Sequence, residues 1–254
     1  MEQTDTIRRA AALLCRARHA VALTGAGIST ASGIPDFRTP GKGLWEKADP
    51  MEVASIYTFR RDPKAFYLWV RPLIDVMRSA QPNPAHLALA RLEAAGYLKA
   101  VLTQNIDGLH QRAGSQHVLE LHGHLRTVTC LNCFRQGPAE AAMEAVARGE
   151  VPHCPACGGV VKPDVILFGE QLPLAVVNHA MEHVHRADLM LVVGSSLLVM
   201  PAAKLPALVH ASGGEVLIFN KQTTYADSFA AAVFHKDVAE ILPRLARACL
   251  EGSA

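Results

Sequence analysis

At 254 residues the chain is long enough for one large core, or for a large domain with a smaller insertion. Half of the residues are hydrophobic and 6% are aromatic, which suits an α/β protein rich in Ala, Val and Leu. A formal charge of +2 is too small to argue for nucleic acid or an anionic membrane as a partner, and neither is expected. No targeting or spanning segment is visible: the apolar run 10–15 is followed by Arg16 and Arg18, and the stretch 189–203 is broken by Gly194, Ser195, Ser196 and Pro201, so a cytoplasmic location is expected.

Ile7, Ala10, Ala11 and Leu14 recur at helical spacing, and the apolar run 20–23 predicts a strand ending at Gly25. Residues 39–81 hold Pro40, Gly41, Lys42 and Gly43 and then a helical pattern with no strand. Asn83-Pro84 opens a further helix, with proline tolerated in its first turn and Gly96 as its stop. Further strands are predicted over 100–103, 118–121, 165–168, Leu189–Val193 and 216–219, with a helix over 174–185. A last helix starts at Asp237, with Glu240 three positions on. Strands alternating with helices predict an α/β fold around a doubly wound parallel sheet. Residues 39–81 and 130–159 depart from the alternation and read as insertions that form a smaller lobe. The cleft between the lobes is the expected substrate site.

Cysteine spacing carries the sharpest chemistry. Cys130-x2-Cys133-x20-Cys154-x2-Cys157 presents two pairs of thiolates, the zinc-ribbon pattern, and four protein ligands leave no open position for water. A structural zinc is expected. Zinc alone does not imply nucleic-acid reading, because Glu140, Glu144 and Glu150 offset Arg135 and Arg148 between the pairs.

Thr24 to Thr30, read as T-G-A-G-I-S-T, follows the first strand, where glycines let backbone approach a phosphate and a following helix N-terminus stabilises its charge. Thr30 stands where a dehydrogenase fingerprint needs its third glycine. The continuation through Asp36, Phe37 and Arg38 has no helical or strand period and reads as a functional loop. Gln104, Asn105, Ile106, Asp107 and His110 follow another strand, where turn and capping roles compete with ligand binding. His122 lies between a strand end and Gly123, which would let a substrate approach. Gly194, Ser195, Ser196, Asn220 and Lys221 also follow strands and offer groups suited to a ribose or adenine, or to ordinary turns.

Taken in order, GAGIS-x-x-SGIPDFR, TQNIDGLH, LHG, the paired cysteines, KPDVILFGE, GSSLLVMPA and IFN resemble the sirtuin family over nearly the whole chain, and most closely its bacterial protein-deacetylating branch. The resemblance implies a Rossmann-like large domain over 1–38, 82–125 and 160–254. It also implies a small lobe made of a helical module, 39–81, and a zinc-binding module, 126–159. It implies NAD consumed as co-substrate and acylated-lysine proteins as partners, with removal of acetyl or another neutral acyl group to give free lysine, nicotinamide and O-acyl-ADP-ribose. The same resemblance assigns Gly25, Ala26, Thr30, Asp36, Phe37 and Arg38 to the cofactor loop, with Phe37 covering the intermediate from water. Gln104 goes to the nicotinamide ribose. Ser29, Asn105, Ile106 and Asp107 form the nicotinamide pocket, and Gly194, Ser195, Ser196, Asn220 and Asp237 hold the adenosine half. Asn105 and His122 are the implied catalytic residues, His122 as a general base whose neutral imidazole, with an ordinary pKa near ~6.5, suits cellular pH. Ile166 and Phe168 would line the acyl-lysine tunnel, and Gly169, Glu170, Leu198 and Val199 would pair with the substrate backbone as strands.

Members that take succinyl or malonyl groups carry Tyr-x-x-Arg in the helical module. Here Tyr67 is followed by Val70 in the arginine position, and Arg71 is turned about 100° away on a helix, so neutral acyl groups are expected. An ordinary dehydrogenase, a non-enzymatic zinc module and an ADP-ribosyl transferase stay open as rivals on sequence alone.

Overall fold

A computed structural model describes residues 2–36 and 49–252. The strands are β1 (Ala20–Thr24), β2 (Leu98–Thr103), β3 (Val118–Glu120), β4 (Gly123–Cys130), β5 (Gln136–Pro138), β6 (Val161–Val165), β7 (Leu189–Val193), β8 (Glu215–Phe219) and β9 (Ala232–Phe234). The helices are α1 (Glu2–Arg16), α2 (Pro50–Val53), α3 (Ile56–Arg61), α4 (Pro63–Ser79), α5 (Pro84–Ala94), α6 (Leu109–Arg112), α7 (Glu140–Ala147), α8 (Leu174–Arg186), α9 (Leu205–Ala211) and α10 (Val238–Glu251).

β1 and β7 are buried at all five positions, which is why their sequences are continuously apolar: each is covered on both faces. They sit at the centre of a six-stranded sheet of order β3-β2-β1-β7-β8-β9, parallel throughout. One face packs Ala20, Ala22, Val101, Leu191 and Phe219 against α1, α5 and α10. The other packs Val21, Leu23, Leu102, Met190 and Ile218 against α8 and α9. This is the Rossmann-like doubly wound sheet that the alternating pattern predicts.

The chain steps outward from β1 to β2 and β3, then crosses to β7 on the opposite side and steps outward again to β8 and β9. The connections diverge between β1 and β7, and ligands of such sheets bind beyond the carboxyl ends at that point. Gly25, Gln104, Gly194 and Asn220 directly follow β1, β2, β7 and β8, so the topology delivers them to one edge.

The smaller lobe has its own core, in which Phe59, Phe66, Tyr67 and Val70 of α3 and α4 meet Val128, Val161 and Met143 of β4, β6 and α7. Its sheet is three-stranded, β5-β4-β6, and antiparallel. One sequence expectation is corrected. The strand expected over 165–168 in the parallel sheet is β6, four residues earlier and paired antiparallel with β4 in the small sheet, while the N–H groups of Ile166 and Phe168 are spent on His122 O and Ala54 O. The small sheet takes in 123–130 and 161–165. The edge strand β9 was not expected from sequence; only three residues pair there.

Candidate active site

The turn after β1 explains its glycines by chain packing. A Cβ on Gly25 or Gly27 would lie 2.8 Å from Gly194 O, and one on Gly194, at φ 59°, would lie 2.3 Å from Ile28 N. Gly27 N donates to Gly194 O at 2.8 Å. The β1 and β7 turns therefore touch backbone to backbone, which only glycine permits. The expected helix after this turn is replaced by two 3-10 turns, Ala26–Ile28 and Thr30–Ser32. Gly123 is also a packing residue rather than a gap for substrate: at φ 74°, its Cβ would strike Asp164 O at 2.0 Å across the β4–β6 pair.

His122 sits between β3 and β4, and Ile166 N binds its carbonyl at 2.8 Å. Its Nδ1 lies 3.0 Å from Gln104 O. A carbonyl only accepts, so Nδ1 carries the proton and Nε2 is left with the lone pair of a base. Burial holds the His122 imidazole below its ordinary pKa, against the opposing effect of the Gln104 carbonyl.

A polar hub lies behind it. Ser29, 1% exposed, donates from Oγ to Asp107 Oδ2 at 2.7 Å and accepts from Asn105 Nδ2 at 3.1 Å. The second Asn105 amide proton goes to Gly25 O at 3.1 Å. Burial pushes the Asp107 carboxyl up, opposed by the Leu109 N–H and the Ser29 hydroxyl. His86 Nε2 approaches Ser29 Oγ at 3.5 Å, and its ring meets His110 edge-on with centroids 4.9 Å apart. His110 Nε2 lies 2.9 Å from Thr24 Oγ1, whose own proton goes to Thr103 Oγ1 at 2.8 Å, so His110 donates there. Burial holds His86 down at about 4, and burial, then the neighbouring His86, holds His110 at about 3. Both rings are neutral at physiological pH. His86 has no sequence signature of a site residue; it follows Asn83-Pro84 as the third residue of α5, where its Nδ1 also accepts from Asn83 N at 3.4 Å.

Two cavities meet at Gln104, Asn105 and His122. The first, of about 540 Å³, is lined by Gly25, Ala26, Thr30, Asp36, Gly194, Ser195, Ser196 and Asn220. Its lining carries the hydroxyls of Thr30, Ser195 and Ser196 and the amides of Gln104, Asn105 and Asn220, and its volume is within the range of sites for large cofactors. Gln104 Nε2 donates to Ser195 Oγ at 2.9 Å across it. Lys221, Gln222 and Val238 join the lining, but Asp237 does not. The Asp237 carboxylate caps α10 through Ala239 N and pairs with Lys221 Nζ at 2.7 Å, which draws its carboxyl below the usual range. Phe37 and Arg38 lie outside the described residues.

The second cavity, of about 290 Å³, runs from Ser29, Ile106 and Asp107 towards the small lobe. Ile166, Phe168, Gly169, Glu170 and Val199 line it together with Phe66, Trp69, Val70, Leu73 and Met77 of α4. Leu198 is 67% exposed and outside the lining. The Tyr67 hydroxyl is withdrawn: buried, it donates to Val161 O at 2.7 Å, and burial raises its pKa. Arg71 Nη1 lies 3.7 Å from where a Cβ on Gly149 would be, away from this lining. The described lining of this cavity therefore offers no Lys or Arg.

The four cysteines converge as expected. Their Sγ atoms all lie within 4.8 Å of one another, with Cys130–Cys157 at 3.5 Å and Cys133–Cys154 at 3.7 Å. Asn132 N and Cys133 N point at Cys130 Sγ from 3.4 and 3.5 Å, as knuckles that stabilise thiolates do. A Cβ on Gly159 would lie 3.1 Å from Cys130 Sγ and 3.4 Å from Cys157 Sγ, so the cluster needs glycine beside it. Four sulfurs in this arrangement are positioned to hold a metal ion and fit a structural zinc. Among the described residues no helix is long and apolar enough to cross a membrane.

A model of the Sir2 family matches residues 25–201. The chain is 49% identical over 236 residues to a NAD-dependent protein deacetylase of Caldivirga maquilingensis, covering 92% of this chain and 90% of that protein. Among solved structures, one from work on the mechanism and regulation of Sir2 enzymes superimposes with a TM-score of 0.92 at 46% identity, covering 99% of each chain. A Sir2 complex with a p53 peptide and NAD+ superimposes at 0.87 with 40% identity, over 96% of this chain and 98% of that one.

Proposed function

The chain belongs to the Sir2 family, and we propose that it removes acetyl or other neutral acyl groups from protein lysine side chains at the expense of NAD and one water, releasing free lysine, nicotinamide and O-acyl-ADP-ribose. The observation that carries this reading is His122: a neutral imidazole with its proton fixed on Nδ1 and its basic nitrogen free of that bond, where a polar cavity and an apolar one join. Similarity to a NAD-dependent protein deacetylase and to a Sir2 complex of peptide and NAD+ supports the choice of substrates.

NAD contributes a ribose whose bond to nicotinamide can break, leaving ADP-ribose as the acyl acceptor. In this reading Gly25, Ala26, Thr30, Asp36 and Gln104 hold the ribose and phosphates. Gly194, Ser195, Ser196 and Asn220 hold the adenosine half, supported by the hydroxyl and amide groups of that cavity. Asp237 contributes at one remove, by capping α10 and holding Lys221 at the cavity wall. Ser29, Asn105, Ile106 and Asp107 hold the nicotinamide. Both Asn105 amide protons are taken by Gly25 and Ser29, so its carbonyl oxygen is the group offered to a ligand. His122 Nε2 removes a proton from a ribose hydroxyl, while Nδ1 keeps its own proton and donates it in a hydrogen bond to the Gln104 carbonyl throughout.

Acyl-lysine enters between Ile166 and Phe168, and its peptide backbone pairs with 169–170 and 198–199. The preference for neutral acyl groups follows from the apolar lining: a succinyl carboxylate would lose its water there and meet no Lys or Arg among the described lining residues, since Val70 lines the wall, Arg71 lies beside Gly149 and the Tyr67 hydroxyl is held by Val161. Turnover of matched acetyl and succinyl peptides with NAD tests the reading. It predicts acetyl as the better substrate, and a succinyl peptide turned over more efficiently would refute it.

A further inference from the structure

One buried ammonium lies beside the tunnel without touching either cavity. Lys162, on β6, is 7% exposed and uses its three protons on Pro163 O at 3.0 Å, Val165 O at 2.7 Å and Glu170 Oε2 at 3.1 Å. Glu170 Oε2 in turn accepts Leu167 N at 2.8 Å. The enclosed segment, 166–168, is the tunnel wall. Its other two N–H groups bind His122 O at 2.8 Å and Ala54 O at 2.9 Å, and Phe168 O accepts Ile56 N at 3.0 Å. The wall is thus tied to the base-carrying loop on one side and to the start of α3 on the other. Only its middle N–H depends on a side chain.

Core stability does not require this arrangement. An apolar side chain of Lys162's length would bury as much surface without desolvating a charge, and buried ion pairs commonly gain nothing over such replacements. What the pair supplies is a fixed geometry, because an ammonium with all donors engaged and a carboxylate gripping one N–H leave the turn 165–170 a single arrangement.

We propose that Lys162 is a positioning residue for the acyl-peptide: acting through Glu170, it holds the Ile166–Leu167–Phe168 wall in register with His122, so that the acyl-lysine amide is presented to the nicotinamide ribose on which the base acts. This rests on the deacylase reading above for its substrate. Lys162 itself lines neither cavity.

The variants are Lys162→Met, which keeps the stem and removes the charge, Lys162→Arg, which restores a cation, and Glu170→Gln. With NAD saturating, Lys162→Met is expected to raise KM for an acetyl peptide by about tenfold, the effect of losing one charged hydrogen bond, with KM for NAD within about twofold of the parent. Lys162→Arg recovers most of that loss, and Lys162→Met/Glu170→Gln loses no more than Lys162→Met alone, because the two residues act in series. Amide hydrogen exchange of the zinc-loaded chain should speed up at 166–168 in Lys162→Met and be unchanged at the β1 turn. Equal changes in both KM values, no rescue by arginine, or unaltered exchange at 166–168 would each overturn the proposal. A parent chain that shows no acyl-lysine-dependent nicotinamide release refutes the deacylase reading instead, and the exchange measurement still decides whether Lys162 holds the wall.

Discussion

Acid should destabilise this fold through two histidines that take up protons at a higher pH in the unfolded chain than in the folded one. Burial holds His86 at about 4 and His110 at about 3, against 6.5 for each in water. A folded-state value below the unfolded one means that the unfolded chain takes up protons first as pH falls, so stability declines below about pH 6.5 and keeps declining until the folded-state values are reached. Each unit of pH costs about 1.4 kcal/mol per histidine in that window. From about pH 7.5 to about pH 5 the loss is therefore about 2 kcal/mol from each, or about 4 kcal/mol together. His110→Gln keeps an N–H donor for Thr24 Oγ1 and removes one of the two titrations. Urea unfolding of zinc-loaded parent and variant at both pH values isolates the effect, since the metal site is common to both. The variant should lose about 2 kcal/mol less than the parent over the interval. An equal loss in the two proteins would refute the assignment of acid sensitivity to this pair.

Other consequences are sharper in sign. Gly123→Ala puts a methyl 2.0 Å from Asp164 O at φ 74° and should cost about 3 kcal/mol or more, read as a lowered unfolding midpoint even without substrate. Cys130→Ser should bring bound zinc below one per chain and unfold the small lobe first, seen by metal analysis and by hydrogen exchange over β4 to β6; a fully folded metal-free variant would contradict the structural role. Because burial lowers the pKa of His122, the base stays neutral into mildly acidic solution, and the acid limb of kcat/KM should fall below about pH 6.5, where an unperturbed histidine would place it.

The central sheet was legible because its strands are buried on both faces and therefore continuously apolar, as Leu189–Val193 is from end to end. The cysteine pairs were legible because metal geometry imposes their spacing. Residues 165–168 misled for the same reason the core strands did not: Val165, Ile166, Leu167 and Phe168 form an apolar run, yet three of them line or flank a tunnel instead of pairing in the sheet. The glycines of the β1 turn and Gly123 stand out in the sequence, but close backbone approach to a ligand and to another strand make the same demand, and the packing between strands is visible only in the fold. His86 and Lys162 were not legible at all. Their roles come from contacts with Ser29 and Glu170 that only the folded chain creates.

Mass analysis of the products formed from NAD and an acetyl-lysine peptide tests the central claim most directly. The parent should yield free lysine peptide, nicotinamide and ADP-ribose carrying the acetyl group, with His122→Ala slower by about a thousandfold, as expected for loss of a general base. Reduced NAD with no nicotinamide released, or full turnover in His122→Ala, would contradict it.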